Sequence, residues 1–263
     1  MNNKEFWKEL CGTNAFNHLG LKKIDKKSLG IFDRWYLDEM YPYLFKYLNI
    51  RNISKMRVLE IGLGFGTVGQ YLFMKSKSYV GLDYSSNPVS VMKDRIRRKR
   101  KQLTASAIEG DARQLPFRVN SFDFVVSIGC LHHTGNIQKC VNEIYRVLDD
   151  NGQALIMLYN RHSWRMSKEN RLFHFLKKIK KDYTEYIRGI YDMDSKGNAA
   201  PITDFSSYMD IRRYFRKFKC FKIKLENFDD VDIPCLMVHI PRKKLLDNLA
   251  KVLGLDYYIM AAK

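Results

Sequence analysis

From Arg57 onward, short apolar runs alternate with longer amphipathic stretches. The runs RVLEIG, SYVGLD, ASAIEGD, FDFVVSIG and QALIMLYN are nearly continuous in hydrophobic residues. Such runs predict strands covered on both faces, as in a parallel sheet. Between them the hydrophobic spacing changes to three and four. In IQKCVNEIYRVL, Ile137, Cys140, Val141, Ile144, Val147 and Leu148 fall on one side of a helix. The sequence DDNG, Asp149 to Gly152, ends that helix and turns into the next strand. Strands alternating with helices predict βαβ units, a parallel sheet and right-handed crossovers.

After Asn160 the rhythm changes. Residues 161 to about 218 read as a basic, helical insert after the fifth strand, broken by the loop DSKGNAAP. Two further strand-like pieces follow, CFKIKLENF and the terminal DYYIMAAK. With the first five runs they predict an α/β fold: a seven-stranded, mostly parallel sheet with helices on both faces. Residues 1–50 form a helical arm containing the aromatic-rich FDRWYLDEMYPYLFKYL, and residues 51–263 form the sheet domain. There is no internal repeat and no low-complexity linker.

Composition narrows the class. The 263 residues are 46% hydrophobic, as in a globular protein. The opening MNNKEFWKEL is charged throughout, unlike a signal peptide, and the apolar runs are too short to cross a bilayer. A cytoplasmic protein without membrane insertion is expected. Cys11, Cys130, Cys140, Cys220 and Cys235 are scattered and odd in number, which predicts buried, reduced thiols and no metal site. The formal charge of +18 suits polyanions. Its densest run, KDRIRRKRK at Lys93–Lys101, lacks interleaved aromatics. It reads first as a solvated helix face, with a nucleic-acid or membrane contact as the other option.

Candidate chemistry begins where the first strand ends, in VLEIGLGFGT. Glycines there let the backbone approach a ligand closely, and the following helix offers free N–H groups. No Gly-x-x-x-x-Gly-Lys-Ser/Thr phosphate loop is present. GFGTVG, Gly64–Gly69, matches a dinucleotide fingerprint literally, with Asp83 at a suitable distance. Its phase argues against that ligand. The strand-end position belongs to Gly62, and counting from there the third glycine of the fingerprint falls on Thr67. Glu60, just before, would repel a pyrophosphate and suit a cationic group.

Five segments in register over residues 57–160 resemble the class I S-adenosylmethionine-dependent methyltransferases: VLEIGLGFGT, GLDYS, EGDARQLPF, SFDFVVSIGCLHHT and EIYRVLDDNGQALIMLYN. The N-terminal FWKELCGT is similar to the arm of a bacterial branch of that family. The resemblance implies a Rossmann-like fold and S-adenosyl-L-methionine as methyl donor, leaving as S-adenosyl-L-homocysteine. It implies a donor site built from Glu60, Gly62, Gly64, Gly66, Thr67, Asp83, Tyr84, Asp111, Ala112 and Gly129. Asp83 would hold the ribose hydroxyls, and Asp111 and Ala112 would read the adenine edge. No metal ligand is implied.

Acceptor chemistry is less constrained. Transfer to oxygen or carbon needs a base, and His132 and His133 follow the fourth strand. Either one is a candidate base, with His133 favoured by the resemblance, or the pair simply packs the loop. Tyr159, Asn160 and His162 are secondary candidates. Trp7, Phe16, His18, Trp35 and Tyr36 either close over the pocket or belong to the core. The loop from Asp192 to Pro201 is a candidate lid hinged at Gly197. The expected acceptor is a small molecule methylated on O, N or C, and the basic surface leaves an anionic one among the options. No specific nucleic acid is expected. An RNA-modifying methyltransferase and an NAD-dependent dehydrogenase are the alternatives.

Overall fold

The computed structural model describes residues 2–99, 104–169, 183–233 and 237–263. Its centre is a seven-stranded sheet built on β1 (Arg57–Ile61), β2 (Ser78–Asp83), β3 (Thr104–Glu109), β4 (Phe122–Ser127), β5 (Leu148–Tyr159), β6 (Cys220–Glu226) and β9 (Asp256–Ala262). The spatial order is β3-β2-β1-β4-β5-β9-β6. The first five strands run parallel, and β9 lies antiparallel between β5 and β6. This is a Rossmann-like α/β sheet, mostly parallel as expected.

The apolar runs form strands because both faces are covered. Val58, Leu59 and Ile61 of β1 and Phe124, Val125 and Val126 of β4 are fully buried. The helices α5 (Thr67–Lys75), α6 (Ser86–Arg97) and α7 (Ile137–Val147) supply the covering. On one face, α7 buries Ile137, Cys140, Val141, Ile144 and Val147 against β4 and β5. On the other, Val68, Leu72 and Phe73 of α5 and Met92 of α6 pack with Leu155 and Tyr258. The Asn136 side chain caps α7 by accepting from the Lys139 amide at 2.9 Å.

One boundary differs from the sequence reading. Leu148 opens β5 instead of ending α7, and Asp149–Gly152 lie inside that strand. Phe122 pairs with Leu148, but Phe124 pairs with Gln153. The turn residues are taken up as a bulge, because the first ladder contact forms before the chain bends.

The arm is α1 (Asn3–Phe6), α2 (Thr13–His18), α3 (Lys26–Arg34) and α4 (Leu44–Leu48). The helix of α3 continues as a wider π turn over Trp35–Met40 and stops before Pro42. Phe16, Leu29 and Phe32 of the arm cluster with Phe65, which follows β1. After β5, the insert contains α8, described over residues 164–169, then α9 (Tyr183–Tyr191) and α10 (Tyr208–Tyr214). Residues 192–207 are a bonded loop between α9 and α10, so the insert is less helical than expected. A short hairpin of β7 (Val231–Ile233) and β8 (Val238–Ile240) follows β6. Three-residue strands carry too little periodicity to be read from sequence. α11 (Ala250–Leu253) leads into β9.

Two local expectations are corrected. Cys11 and Cys220 are exposed, Cys130 is intermediate and Cys140 is buried, while Cys235 lies outside the described residues. Within the basic run, Arg97 is solvated but Arg95 is buried to 3% of its side-chain area. Arg100 and Lys101 lie outside the described residues. No helix among the described residues is long and apolar enough to cross a membrane.

Candidate active site

The chain leaves β1 for β2 and β3 on one side, then returns to β4 on the other side of β1. The crevice outside the strand ends at such a switch is where open parallel sheets bind ligands. A cleft with about 1060 Å³ of empty space, its mouth included, lies there. Its walls are the segments after β1, β2, β3 and β4, together with Asn3, Trp7, Cys11, Phe32 and Tyr36 of the arm.

The turn after β1 is shaped by steric exclusion. Gly62 has φ of 86°, and a Cβ there would collide with Cys130. Gly64 has φ of 48°, and a Cβ on it would meet nothing closer than the Cys11 carbonyl at 3.8 Å. That face of the backbone is therefore open to the cleft. Gly66 caps α5 and is not among the residues lining the cleft, its open side being filled by Arg95 and Met92, whereas the first helical residues Thr67 and Val68 do line it. The hydroxyl of Thr67 is already committed, donating to Asp33 of the arm at 2.7 Å.

Asp83 ends β2. Its carboxylate accepts from the Leu63 amide at 2.8 Å and from the Ser85 amide at 2.9 Å. These bonds tie the end of β2 to the glycine turn. Burial pushes the carboxyl up to about 6, against the lowering effect of those amides. Tyr84, next to it, is exposed at 37% and lines the cleft mouth. Glu60 also reaches the cleft but is deeply buried and accepts from the Tyr79 hydroxyl. Burial pushes its carboxyl up to about 8.

Asp111 and Ala112 lie just past β3 and line the cleft. Asp111 is paired with Arg113, through Nη2 at 2.7 Å and the backbone amide at 2.8 Å. Its burial opposes ionisation, yet the Arg113 bonds outweigh that and hold the carboxyl below the usual range. Gly129, two residues past β4, has φ of 70° and lines the cleft as well.

The two histidines part company. His133 lines the cleft. Its Nδ1 lies 2.9 Å from the Ile202 carbonyl, its Nε2 is 3.5 Å from Asp192 Oδ2, and the Trp7 ring packs on it at 4.4 Å. Its backbone carbonyl accepts from Asn3 at 2.7 Å. His132 is fully buried, stacked on Tyr159 at 3.8 Å, with neither ring nitrogen partnered among the described residues. Burial, then the neighbouring His133, pushes its imidazole well below the usual range.

The secondary candidates divide in the same way. The Tyr159 hydroxyl donates to Asp192 Oδ1 at 3.3 Å. Asn160 is spent on the Gly254 carbonyl and the His162 amide, and His162 is exposed. Of the arm aromatics, Trp7 and Tyr36 face the cleft, Phe16 is core and His18 is exposed. Trp35 packs at the edge of the arm cluster. The loop after α9 is tied down: Asp194 accepts from the Lys196 and Asn198 amides, and Asn14 of the arm donates to the Met193 carbonyl.

Several residues of this site carry no local sequence signal. Asn3 and Phe32 reach it only because the arm docks. Asp192 reaches His133 from the insert. Asp33 and Arg95 brace the glycine turn from outside: Arg95 bonds Asp33 through both Nη atoms and the Phe65 carbonyl through Nε. Arg113, two residues after Asp111, is the one addition that adjacency alone indicates.

A glycine turn, an acid ending the second strand and a cleft at the switch point are the features on which an open α/β sheet can hold a ligand. Residues 59–156 match the family described as methyltransferase domain. That match, over little more than a third of the chain, supports a class I S-adenosylmethionine-dependent methyltransferase domain. The chain is similar to phosphoethanolamine N-methyltransferase 2 of Caenorhabditis elegans, with 29% identity over 47% of this chain and 29% of that protein. It is also similar to the human protein named Probable tRNA methyltransferase 9B, with 34% identity over 44% of this chain and 23% of that protein. The chain thus spans under a third of the length of these two relatives. Among solved structures, an S-adenosylmethionine-dependent methyltransferase of Mesorhizobium loti shares the fold at a TM-score of 0.58 and 14% identity, covering 86% of this chain and 100% of that one.

Proposed function

We propose that this protein transfers the methyl group of S-adenosylmethionine to a small-molecule acceptor. The observation that carries this reading is the roofed cleft, in which arm residues Asn3, Trp7, Phe32 and Tyr36 cover the glycine turn and Asp83. A reacting atom must fit beneath that roof, which favours a small acceptor over a folded nucleic acid.

The residues present fit the methyl donor. Gly64 leaves room for a ligand against the backbone, and Asp83 retains free lone pairs for ribose hydroxyls. Glu60 offers negative charge for a cation once it ionises. When bound, S-adenosylmethionine supplies a methyl group already activated by its sulfonium. The chain then has to align an acceptor lone pair with that carbon, exclude water and receive a proton. Trp7 and Phe32 supply the exclusion. His133, on the cleft wall, is the proposed proton acceptor.

Two measurements test this. Asp83→Ala is expected to weaken S-adenosylhomocysteine binding by roughly 1.5–3 kcal/mol, the scale for lost charge-assisted hydrogen bonds. Calorimetry showing no change removes Asp83 from the site. Labelled methyl from S-adenosylmethionine is expected to enter a small-metabolite extract and not bulk RNA. Transfer to RNA alone overturns the small-acceptor reading in favour of the kind of acceptor that the name of the human relative suggests.

A further inference from the structure

The glycine turn after β1 is held from two sides. On the inner side, Asp83 accepts from the Leu63 amide at 2.8 Å. On the outer side, Arg95 Nε donates to the Phe65 carbonyl at 2.7 Å. The Gly66 amide closes the turn on the Leu63 carbonyl at 2.7 Å. Gly62 and Gly64 have little conformational preference of their own, so these anchors decide the shape of the backbone between them. Asp83 lines the cleft, and a bound nucleoside would share its carboxylate. Arg95 lies behind the turn, outside the cleft lining, and its bond to the turn is not shared with a ligand.

This outer brace is fully bonded. Arg95 Nη1 donates to Asp33 Oδ2 at 2.9 Å and to Gln70 Oε1 at 2.8 Å, and Nη2 donates to Asp33 Oδ1 at 2.8 Å. Asp33 also accepts from the Thr67 hydroxyl at 2.7 Å and from the Gln70 side-chain amide at 3.3 Å. The stem of Arg95 lies against the turn, because a Cβ on Gly66 would come within 3.0 Å of Arg95 Cδ. The two residues held in this way, Phe65 and Thr67, both line the cleft. So does Phe32, the neighbour of Asp33 on α3, and its ring packs on Phe65 at 4.5 Å.

Stability alone is a poor reason for such a pair. Burying two ions costs their hydration, and apolar residues of similar volume often serve as well. What the guanidinium adds is direction. Its donors lie in one plane at fixed angles, so a single side chain can set the relative positions of several acceptors. Here those acceptors belong to α3, to α5 and to the turn between β1 and α5. A lysine at this position would keep a charge for Asp33. It has a methylene where Arg95 has Nε, and it would release the Phe65 carbonyl.

Resting on the methyl-transfer reading, in which the glycine turn holds S-adenosylmethionine, we propose that Arg95 and Asp33 are positioning residues for the methyl donor. They touch no ligand themselves. They fix the Phe65 carbonyl and the Thr67 hydroxyl, so the turn keeps the shape that the donor meets while Asp83 is shared with the ribose. Because Asp33 sits on α3 beside Phe32, the same brace ties the donor site to the roof of the cleft. Binding on the turn and seating of the arm are thereby coupled, and the coupling runs both ways.

The test measures S-adenosylhomocysteine binding to the full chain by calorimetry. Arg95→Lys is expected to weaken it by about 10-fold, the lower end of the scale for a hydrogen bond to a charged group. Asp33→Asn is expected to weaken it by about threefold, and it carries the test if the lysine variant does not fold. Val147→Ala, on α7 at the opposite face of the sheet, controls for a general loss of stability. It should lower the melting temperature and leave affinity within about twofold. In hydrogen exchange, S-adenosylhomocysteine is expected to slow the amides of α3 in the parent and not in Arg95→Lys. Unchanged affinity in both brace variants, with Asp83→Ala still weakened, overturns this inference and leaves the donor site standing. Affinity lost equally in Val147→Ala, or α3 amides slowed equally in parent and Arg95→Lys, overturns it as well. A parent chain that binds no S-adenosylhomocysteine rejects the donor reading itself and this inference with it.

Discussion

Two single residues in this site carry protonation states that solution measurements can read. Glu60 is held at about 8 by burial, so at pH 7 its carboxyl is mostly protonated in the ligand-free protein. A cation arriving in the cleft favours the charged form. Binding of S-adenosylmethionine near pH 7 is therefore expected to release a proton. The calorimetric heat should vary with the ionisation enthalpy of the buffer, less so for the uncharged thioether product, and not at all in Glu60→Gln. Identical heats in all buffers for the parent remove Glu60 from contact with the ligand. His132 behaves in the opposite sense. Its folded-state pKa lies below the unfolded value, so its contribution to stability is present above about 6.5 and is lost as pH falls. His132→Phe keeps the stacking on Tyr159 and removes two orphaned nitrogens. It is expected to raise unfolding free energy by about 1 kcal/mol at pH 7, and by more at pH 5. Denaturant titrations at the two pH values decide this, and a destabilised variant at pH 7 shows that those nitrogens have partners.

At the level of elements, the arm and the glycine turn act as one unit. Asp33 on α3 receives the Thr67 hydroxyl and both Nη atoms of Arg95 on α6, while Arg95 Nε holds the Phe65 carbonyl. One buried guanidinium thus joins the arm, the turn after β1 and the helix after β2. Removing one partner of a buried pair leaves the other charge uncompensated. Arg95→Met is expected to cost about 3–5 kcal/mol of stability. Asp33→Asn is milder, because the amide still accepts one bond. In hydrogen exchange, that variant should open amides of α3 and the Trp35–Met40 turn faster while those of β1 and β4 stay protected. Uniform loss of protection, or none, shows that the arm does not depend on this junction. Arg95 falls within a run that reads locally as a solvated face, since nothing near it in sequence indicates a buried acid sixty residues earlier.

For the whole molecule, surface and interior have different chemistry. The +18 charge makes non-specific attraction to RNA an expected property. Arg97, on the outer face of α6, and its neighbour Arg98 are the described cations of the basic run to neutralise. The Arg97→Gln, Arg98→Gln double variant should flatten the slope of log affinity against log salt by about 1–2. Binding should stay weak and indifferent to sequence. Sub-micromolar, sequence-selective binding at physiological salt in a filter assay favours the RNA reading instead.

What the sequence determined by itself is the sheet and one wall of the site. The runs of β1 to β5 are apolar on both faces, and that condition is local enough to read. The strand ends that follow carry Gly62, Asp83, Asp111 and Gly129, so the parallel order brings them to one crevice. The bulge at Asp149–Gly152 and the short hairpin of β7 and β8 were not legible, because ladder pairing with distant strands decides them. The remaining wall and the split between the histidines belong to the tertiary structure alone. Trp7 and Phe32 face the cleft only because the arm docks on Phe65. His132 and His133 are adjacent and chemically identical, so residue type does not rank them, and only the family resemblance favours His133. The turn after β4 sends one ring against Tyr159 and the other toward Asp192, a residue some sixty positions away. Which imidazole meets a ligand is set by that long-range packing, where burial and partners, not residue type, define reactivity.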